Sequence, residues 1–466
     1  MEFETIIGLE FHIQMKTKSK MFSTAPVTFG DEPNTHVAPL DMAFPGALPL
    51  VNKQAVINAI RVCAALHMTI DNELWFDRKN YFYSDLPKGY QITQQNRPIG
   101  KNGYLMSGDK QIHIERLHLE EDTCKQLHLS DYSLLDFNRA GIPLLEIVTQ
   151  PEIRSGEEAM RFAEKIRSIV TFLEVSDGKM EQGSLRCDVN VSIREKGQNY
   201  FGPKVEIKNL NSISNIQKAI DYEIHRQQDL VSKGIKIAQD TRRFDEKTKK
   251  TIPMRLKTDT IDYKIFVDAN IVPIRLSQEF IDSTIKASPE LAEIRLQRYL
   301  RLGIKESQCS TLLASKELSD YFEEVLKTGA DPILSANWVT VEVLTVLNKE
   351  NIEIKDFTIS PNKLGQLLNL IANKVITNKE ARDLFNKMLI CSDSPESLIS
   401  KDEVSEQQII SLIKETIDNN PQCIEDYKNG RDKVIGFIVG KVMKMTQGKA
   451  NPSLTNRLVL EELKRR

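Results

Sequence analysis

Several alternating segments of this 466-residue chain carry side chains suited to holding a metal ion and phosphate. Side chains along a β-strand point to opposite faces with period two. Over residues 3–15, Phe3, Thr5, Ile7, Leu9, Phe11, Ile13 and Met15 share one face, while Glu10, His12 and Gln14 share the other. Residues 185–193 repeat the scheme, with Leu185, Cys187, Val189, Val191 and Ile193 opposed to Arg186, Asp188, Asn190 and Ser192. In residues 204–208, Val205 and Ile207 face a core while Lys204, Glu206 and Lys208 face away. Further carboxylates stand at Glu120-Glu121-Asp122 and at Glu146, which sits inside the apolar run 143–148. A carboxylate in such a run needs a cation or hydrogen bonds. Carboxylates with one imidazole are the ligand set of a hard divalent cation such as Mg2+, not of a thiolate-bound metal. Adjacent Lys and Arg would hold the phosphates that accompany such an ion.

Taken singly, each of these strands also reads as the wet side of a sheet packed on one face. Against that, the polar faces carry His, Asn, carboxylates and basic residues rather than a Thr, Lys and Glu mix. No P-loop or Rossmann glycine motif accompanies them, so any nucleotide site must be built differently.

The elements that would position these faces are mixed. Up to about residue 290 short alternating segments are separated by turn signals such as Asn102-Gly103 and Ser107-Gly108-Asp109. Ser155 and Glu158 form a capping-box pattern ahead of Phe162, Ile166, Ile169, Val170 and Leu173 at helical spacing. A second helix is expected from about Asn215 to Ser232, ending at Gly234. From about Ser288 helical periodicity takes over, as in Leu318, Tyr321, Phe322 and Val325, and the last sixty or so residues read as a further small helical unit. The expected fold class is α+β: a mixed-sheet domain with helices, then an all-α domain and a small helical tail.

Composition excludes several classes. With 40% hydrophobic and 27% charged residues the chain reads as globular rather than disordered. No apolar stretch approaches the roughly 20 residues that span a bilayer, so no membrane partner is expected. The opening Met1-Glu2-Phe3-Glu4 has neither the basic nor the apolar region of a signal peptide, nor an Arg- and Ser-rich transit leader. Cys63, Cys124, Cys187, Cys309, Cys391 and Cys423 are scattered without a Cys-x-x-Cys pair, which suits a reducing cytoplasm. A net charge of −2 leaves nucleic-acid binding to a local patch. From Gly430 onward Arg431, Lys433, Lys441, Lys444, Lys449, Arg457, Lys464, Arg465 and Arg466 stand against only Asp432, Glu461 and Glu462, which supplies such a patch unless these are stray charges on a solvated helix.

Longer motifs carry a family resemblance. They include Glu4-Thr5-Ile6-Ile7-Gly8-Leu9-Glu10-Phe11-His12, Asp77-Arg78-Lys79-Asn80-Tyr81-Phe82-Tyr83 and Arg116-Leu117-His118-Leu119-Glu120-Glu121-Asp122. Asn138-Arg139-Ala140-Gly141-Ile142-Pro143-Leu144-Leu145-Glu146 and Lys179-Met180-Glu181-Gln182-Gly183-Ser184-Leu185-Arg186-Cys187-Asp188 follow in order. Glu206-Ile207-Lys208-Asn209-Leu210-Asn211-Ser212, Gln239-Asp240-Thr241-Arg242-Arg243-Phe244-Asp245 and Gly448-Lys449-Ala450-Asn451-Pro452 complete the set. The chain resembles, end to end, the GatB family, the B subunits of the glutamine-dependent amidotransferases that amidate Glu or Asp attached to tRNA. The resemblance implies a heterotrimer with an amidase-type A subunit and a small C subunit, acting on tRNA(Gln) and/or tRNA(Asn). It implies phosphorylation of the attached side-chain carboxylate by ATP with Mg2+, then displacement of phosphate by ammonia from the A subunit. It implies a cradle domain at 1–290, a helical domain at 291–405 and a tRNA-binding tail at 406–466.

By the same motif match, His12, Glu121 and Glu146 resemble ligands of one Mg2+, and Glu10 with Asp188 those of a second cation. Arg186, Asn190 and Lys208 are candidates, from strand face and charge, for contacts to phosphate or the substrate carboxylate, and Glu10 and Asp188 join them as catalytic candidates. Lys79 is a candidate for the ammonia path, and Lys441, Lys444, Lys449 and Arg457 for tRNA contact. The chain departs from the family in lacking its zinc-binding cysteines at 21–26 and 38–41, so no zinc is expected, in reading Glu181-Gln182, and in its 262–270 loop. A tRNA-binding scaffold without kinase activity is the alternative reading. A free-standing ATP-dependent amide ligase is disfavoured, because no glutaminase nucleophile motif is present.

Overall fold

The computed structural model describes residues 2–256, 263–391, 393–402, 404–428, 433–446 and 450–466. Lys449 and the start of the divergent 262–270 loop therefore lie outside the described residues. The fold is α+β and divides into two compact units, one up to Arg295 and one from Leu296. The first unit holds β1 (Phe3–Gln14), β2 (Thr69–Ile70), β3 (Glu73–Leu74), β4 (Asp77–Asn80), β5 (Tyr90–Thr93), β6 (Gly100–Ser107), β7 (Lys110–Glu121) and β8 (Lys125–His128). It continues with β9 (Ser133–Asp136), β10 (Pro143–Thr149), β11 (Leu185–Glu195), β12 (Val205–Lys208), β13 (Asp240–Asp245), β14 (Lys250–Leu256), β15 (Lys264–Val267) and β16 (Ile274–Arg275).

Nine of these form one sheet in the order β14-β13-β12-β11-β1-β10-β7-β6-β2. Its pairs are antiparallel apart from β12–β13. A parallel pair needs a long crossover, and here it contains helix 213–232. The sheet is packed on one side by three helices, α1 (Lys53–Ala65), α2 (Gly156–Phe172) and α3 (Ile213–Ser232). Ile7, Leu9, Phe11 and Ile13 of β1, Leu145 and Ile147 of β10, and Val189 and Val191 of β11 share one core with Phe162, Ile166 and Ile220. Phe11 meets Phe162 with ring centroids 6.2 Å apart. The even-numbered side chains of β1 are thereby turned to the opposite face.

Helix starts follow from side-chain chemistry. Ser155 Oγ accepts from the Glu158 amide at 3.1 Å, satisfying one unpaired donor of the first turn of α2. The reciprocal half of the expected capping box differs: the Glu158 carboxylate accepts from the Arg154 amide at 2.7 Å, one residue before the cap. Helix α3 begins earlier than expected because Ser212 supplies its cap, and it stops before Gly234, whose φ is +72°. In the segment after β1, the wholly buried Lys20 donates to Asp41 and to the Phe137 carbonyl, both at 3.0 Å. The ion pair joins the two ends of residues 20–41, and the hydrogen bond to Phe137 ties them to the end of β9.

The regular elements of the second unit, among its described residues, are all helices joined by short loops. One apolar cluster contains Tyr299, Phe322, Val325, Trp338, Leu367 and Phe385, and a separate one contains Ile409, Ile413, Ile438, Val442 and Val459. No helix among the described residues is long and apolar enough to cross a membrane.

Ile147 is fully buried at the middle of the sheet. Ile147→Ala is expected to destabilise the first unit by about 2–5 kcal/mol. The urea transition of Trp75 fluorescence, read in a Trp338→Phe background, checks this.

Candidate active site

Strand register decides which polar residues meet. β1 pairs with β10 so that His12 lies opposite Glu146, and β10 pairs with β7 so that Glu146 lies opposite His118. On the other side of β1, Arg186 lies opposite His12 and Asp188 opposite Glu10. Four strands thus present a row Arg186–His12–Glu146–His118 on the face away from the core. A neighbouring row runs Asp188–Glu10–Val148–Arg116, and Glu120 lies beside Leu144 and Gln14.

The side chains converge. His12 Nε2 is 3.3 Å from Glu146, 3.7 Å from Glu10 and 3.7 Å from Glu120. His118 Nε2 is 3.3 Å from Glu146 and 3.4 Å from Glu120. His118, Glu120 and Glu146 are buried. Two overlapping sets, Glu10–His12–Glu146 and His118–Glu120–Glu146, each gather three donor atoms within 4.8 Å of one another. Burial would lower the His12 pKa, but its hydrogen bond to Glu146 and the charges of Glu120, Glu146 and Glu10 push it up to about 9. His118 behaves alike: burial opposes, and Glu146 and Glu120 raise it to about 9. The two imidazoles outweigh burial at Glu146 and hold its carboxyl well below the usual range. Burial and the nearby Glu146 charge raise Glu10. A carboxylate-rich set with an imidazole has the donor chemistry of a hard divalent cation, and His12 would join it as a ligand in its neutral form.

The structure places two sets of sequence candidates differently from the expectation. Glu121 is not in the cluster. Period two places residue 121 with Leu117 and Leu119, and its carboxylate receives Lys88 Nζ at 2.5 and 2.7 Å and the Ile92 amide at 2.9 Å. Glu120 takes the place expected for Glu121, and His118 joins it. The alternation Leu117-His118-Leu119-Glu120 is the signal that could have found both. Glu10 and Asp188, expected to share a second cation, stand in register, and Asp188 is ion-paired with Lys208.

The cationic candidates flank the cluster. Lys208 also reaches Glu206 at 3.2 Å; burial opposes its charge, but Asp188 and Glu206 raise its pKa to about 12. Arg186 donates to Asp122 at 2.8 Å, and Asp122 also accepts from Gln14 at 2.8 Å. Burial favours neutral Asp122, yet Arg186 and Arg139 hold its carboxyl below the usual range. Arg116 Nε, His118 Nδ1, Arg186 Nε and Asn190 Oδ1 are buried with no hydrogen-bond partner among the described residues. Buried polar atoms are seldom left so, and four on one face mark a surface built to receive a polar ligand.

The remaining candidates lie elsewhere. Lys79 is on β4, in a separate three-stranded sheet, with Nζ 4.9 Å from the centroid of the Tyr263 ring. Lys441 donates to Asn420 at 3.2 Å, Lys444 is exposed on the helix Lys433–Met445, and Arg457 faces Glu406 at 3.7 Å and Glu461 at 3.9 Å.

Comparison with known proteins follows the same division. Residues 5–282 match the GatB/GatE catalytic domain, and residues 320–463 match the GatB domain. The B subunit of the aspartyl/glutamyl-tRNA(Asn/Gln) amidotransferase of Bacillus cytotoxicus is 46% identical over 477 residues, and that of Lysinibacillus sphaericus 45% over 475 residues. Both alignments cover the whole of each chain.

The two adjacent glutamates give a sharp test. Glu120→Gln is expected to weaken Mn2+ binding about tenfold or more, and Glu121→Gln to change it less than about threefold, by isothermal titration calorimetry. Glu121→Gln should instead destabilise the fold by about 3–5 kcal/mol, because Lys88 is left buried without its counter-charge. Equal losses of Mn2+ affinity in both variants would contradict the assignment.

Proposed function

The chain belongs to the GatB family, and from that membership we propose that it serves as the B subunit of a glutamine-dependent amidotransferase. Its reaction converts glutamyl-tRNA(Gln), or aspartyl-tRNA(Asn), to the amidated aminoacyl-tRNA with consumption of ATP. The supporting observation is the row of His and carboxylate side chains across β1, β10 and β7, flanked by Arg186, Lys208 and Arg116.

The chemistry accounts for that arrangement. A carboxylate is a poor electrophile, so its oxygen first takes the γ-phosphoryl group of ATP, creating a leaving group that ammonia displaces. Such transfer relies on positioning and electrostatic stabilisation. Mg2+, when bound by Glu10, His12, Glu120 and Glu146, supplies positive charge against the nucleotide phosphates. The protein's own part is to hold these donors in register, to keep Glu146 ionised between two imidazoles, and to present Arg186, Lys208 and Asn190 to phosphate oxygens. Asp188 and Asp122 orient Lys208 and Arg186 for that task.

Ammonia must come from a partner, which the amidase-type A subunit would supply within a heterotrimer that includes a small C subunit. Lys79 and the Tyr263 ring belong to the proposed approach of ammonia or acceptor end. The segment in which the family carries zinc-binding cysteines has none here and contains the Lys20–Asp41 ion pair. Residues 1–290, 291–405 and 406–466 are proposed as cradle, helical and tRNA-binding tail domains of a cytoplasmic enzyme.

Two outcomes check this reading. In the reconstituted heterotrimer Glu146→Gln should cut charged-tRNA-dependent ATP cleavage by about 10²-fold or more, with tRNA affinity retained in filter binding. Unchanged turnover would remove Glu146 from the site. Lys441→Glu with Lys444→Glu should weaken tRNA binding and lower its salt slope by about one to two, without altering Mn2+ affinity.

A further inference from the structure

We propose that Arg116 binds the side-chain carboxylate of the amino acid carried by the tRNA, and thereby reads which aminoacyl-tRNA is a substrate. This rests on the kinase reading above and assigns a group that the motif match did not supply.

The reaction must bring two anions together, a triphosphate and a carboxylate, over a face that already carries Glu10, Glu120, Glu146 and Asp188. Each anion needs its own cation, and the sheet provides cations on both flanks of the metal cluster. On one flank Arg186 of β11 and Lys208 of β12 stand together, a pair suited to a polyanion. On the other flank Arg116 of β7 is the counterpart: it occupies the same row as Asp188 and Glu10, three strands away from β11. That separation is about 14 Å at normal strand spacing, room for two reactants with the cluster between them.

The bonding of the three cations differs in the same sense. Lys208 is taken by Asp188 and Glu206, and Arg186 is held by Asp122. Arg116 Nη1 donates to the half-exposed Glu115 at 2.8 Å, Nη2 forms a longer ion pair with Glu146 at 3.6 Å, and Nε is buried without a hydrogen-bond partner among the described residues. Arg186 Nε is equally without a partner, but its guanidinium is held by the buried Asp122, whereas the hydrogen-bonded partner of Arg116 is half-exposed and readily displaced. A guanidinium presents two parallel N–H groups that match one carboxylate bidentately, where a lysine offers a point charge. Its position beside Glu146 sets a carboxylate held there next to the metal donors, where transfer of the phosphoryl group has to occur. Glutaminyl-tRNA, the amidated product, offers that guanidinium an amide in place of a charge and is bound less well.

The test uses the recombinant heterotrimer. Arg116→Gln should lower kcat/KM for glutamyl-tRNA(Gln) about 10²-fold, leave KM for ATP unchanged, and abolish the preference for glutamyl-tRNA(Gln) over glutaminyl-tRNA(Gln) in filter binding. Arg116→Lys should restore part of the preference, since charge returns without the fork. Mn2+ affinity of both variants should match wild type, which separates substrate contact from support of Glu146. A raised KM for ATP with tRNA discrimination intact would make Arg116 a nucleotide contact and overturn the proposal. Loss of Mn2+ affinity, or no change in discrimination, would overturn it as well. A wild-type heterotrimer that discriminates between the two tRNAs but cleaves no ATP would defeat the kinase reading while leaving the carboxylate contact testable by binding.

Discussion

Everything in the first unit answers to one electrostatic constraint: four carboxylates, Glu10, Glu120, Glu146 and Asp188, share a single sheet face, three of them around one imidazole. Withdrawing a carboxylate from water without compensation costs several kcal/mol, so this face requires positive charge. The surrounding carboxylates raise the pKa of His12 and His118 to about 9, and Lys208 and Arg186 neutralise the edge. The arrangement is held by the opposite face. A one-residue slip of β1 would turn Ile7, Leu9, Phe11 and Ile13 outward and bury Glu10 and His12 among helices. Each of those apolar side chains contributes about 1.5–3 kcal/mol by burial, so the core fixes the register and the register fixes the site.

Much of this is written in the sequence as period two. The faces of β1, β11 and β12 follow directly from the alternation, and His12, Arg186, Asp188 and Lys208 stand on the polar side for that reason, while Glu146 is marked instead as a lone carboxylate in the apolar run of β10. What alternation within one strand cannot supply is which strands are neighbours. The order β11-β1-β10-β7 sets β1 between two segments more than a hundred residues further along the chain, and only that order makes a row of Arg186, His12, Glu146 and His118. A run of acids at a strand end, matched as a motif rather than placed on a face, points to Glu121 where the face holds Glu120. His118 stands inside the same motif and emerges only when the motif is laid out as a strand. Asp188 shows the converse limit: its face is legible, but the ammonium that neutralises it comes from a strand whose partner the sequence does not name. In the helical unit the periodicity of Leu318, Tyr321, Phe322 and Val325 is enough, since a helix contacts its neighbours through one stripe.

The two units suit different tasks. A wide sheet, anchored on one face, can hold several charged groups within a few tenths of an ångström of a set geometry, which phosphoryl transfer needs. The helical unit gathers its apolar side chains into two separate clusters, one before and one after residue 405, and carries the basic surplus at its end. On the proposed reading, reaction and tRNA contact fall to parts of the chain built on different physical principles, and the relatives match both parts along their full length.

The central claim is that this sheet face phosphorylates a carboxylate before ammonia replaces the phosphate. Its most direct test is oxygen transfer. The reconstituted heterotrimer is given tRNA charged with glutamate labelled with 18O in both side-chain carboxylate oxygens, together with ATP, Mg2+ and glutamine, and the released phosphate is analysed by mass spectrometry. One labelled oxygen in each phosphate, and one retained in the amide, is the result predicted. Phosphate free of label, with amide still formed, would contradict the account.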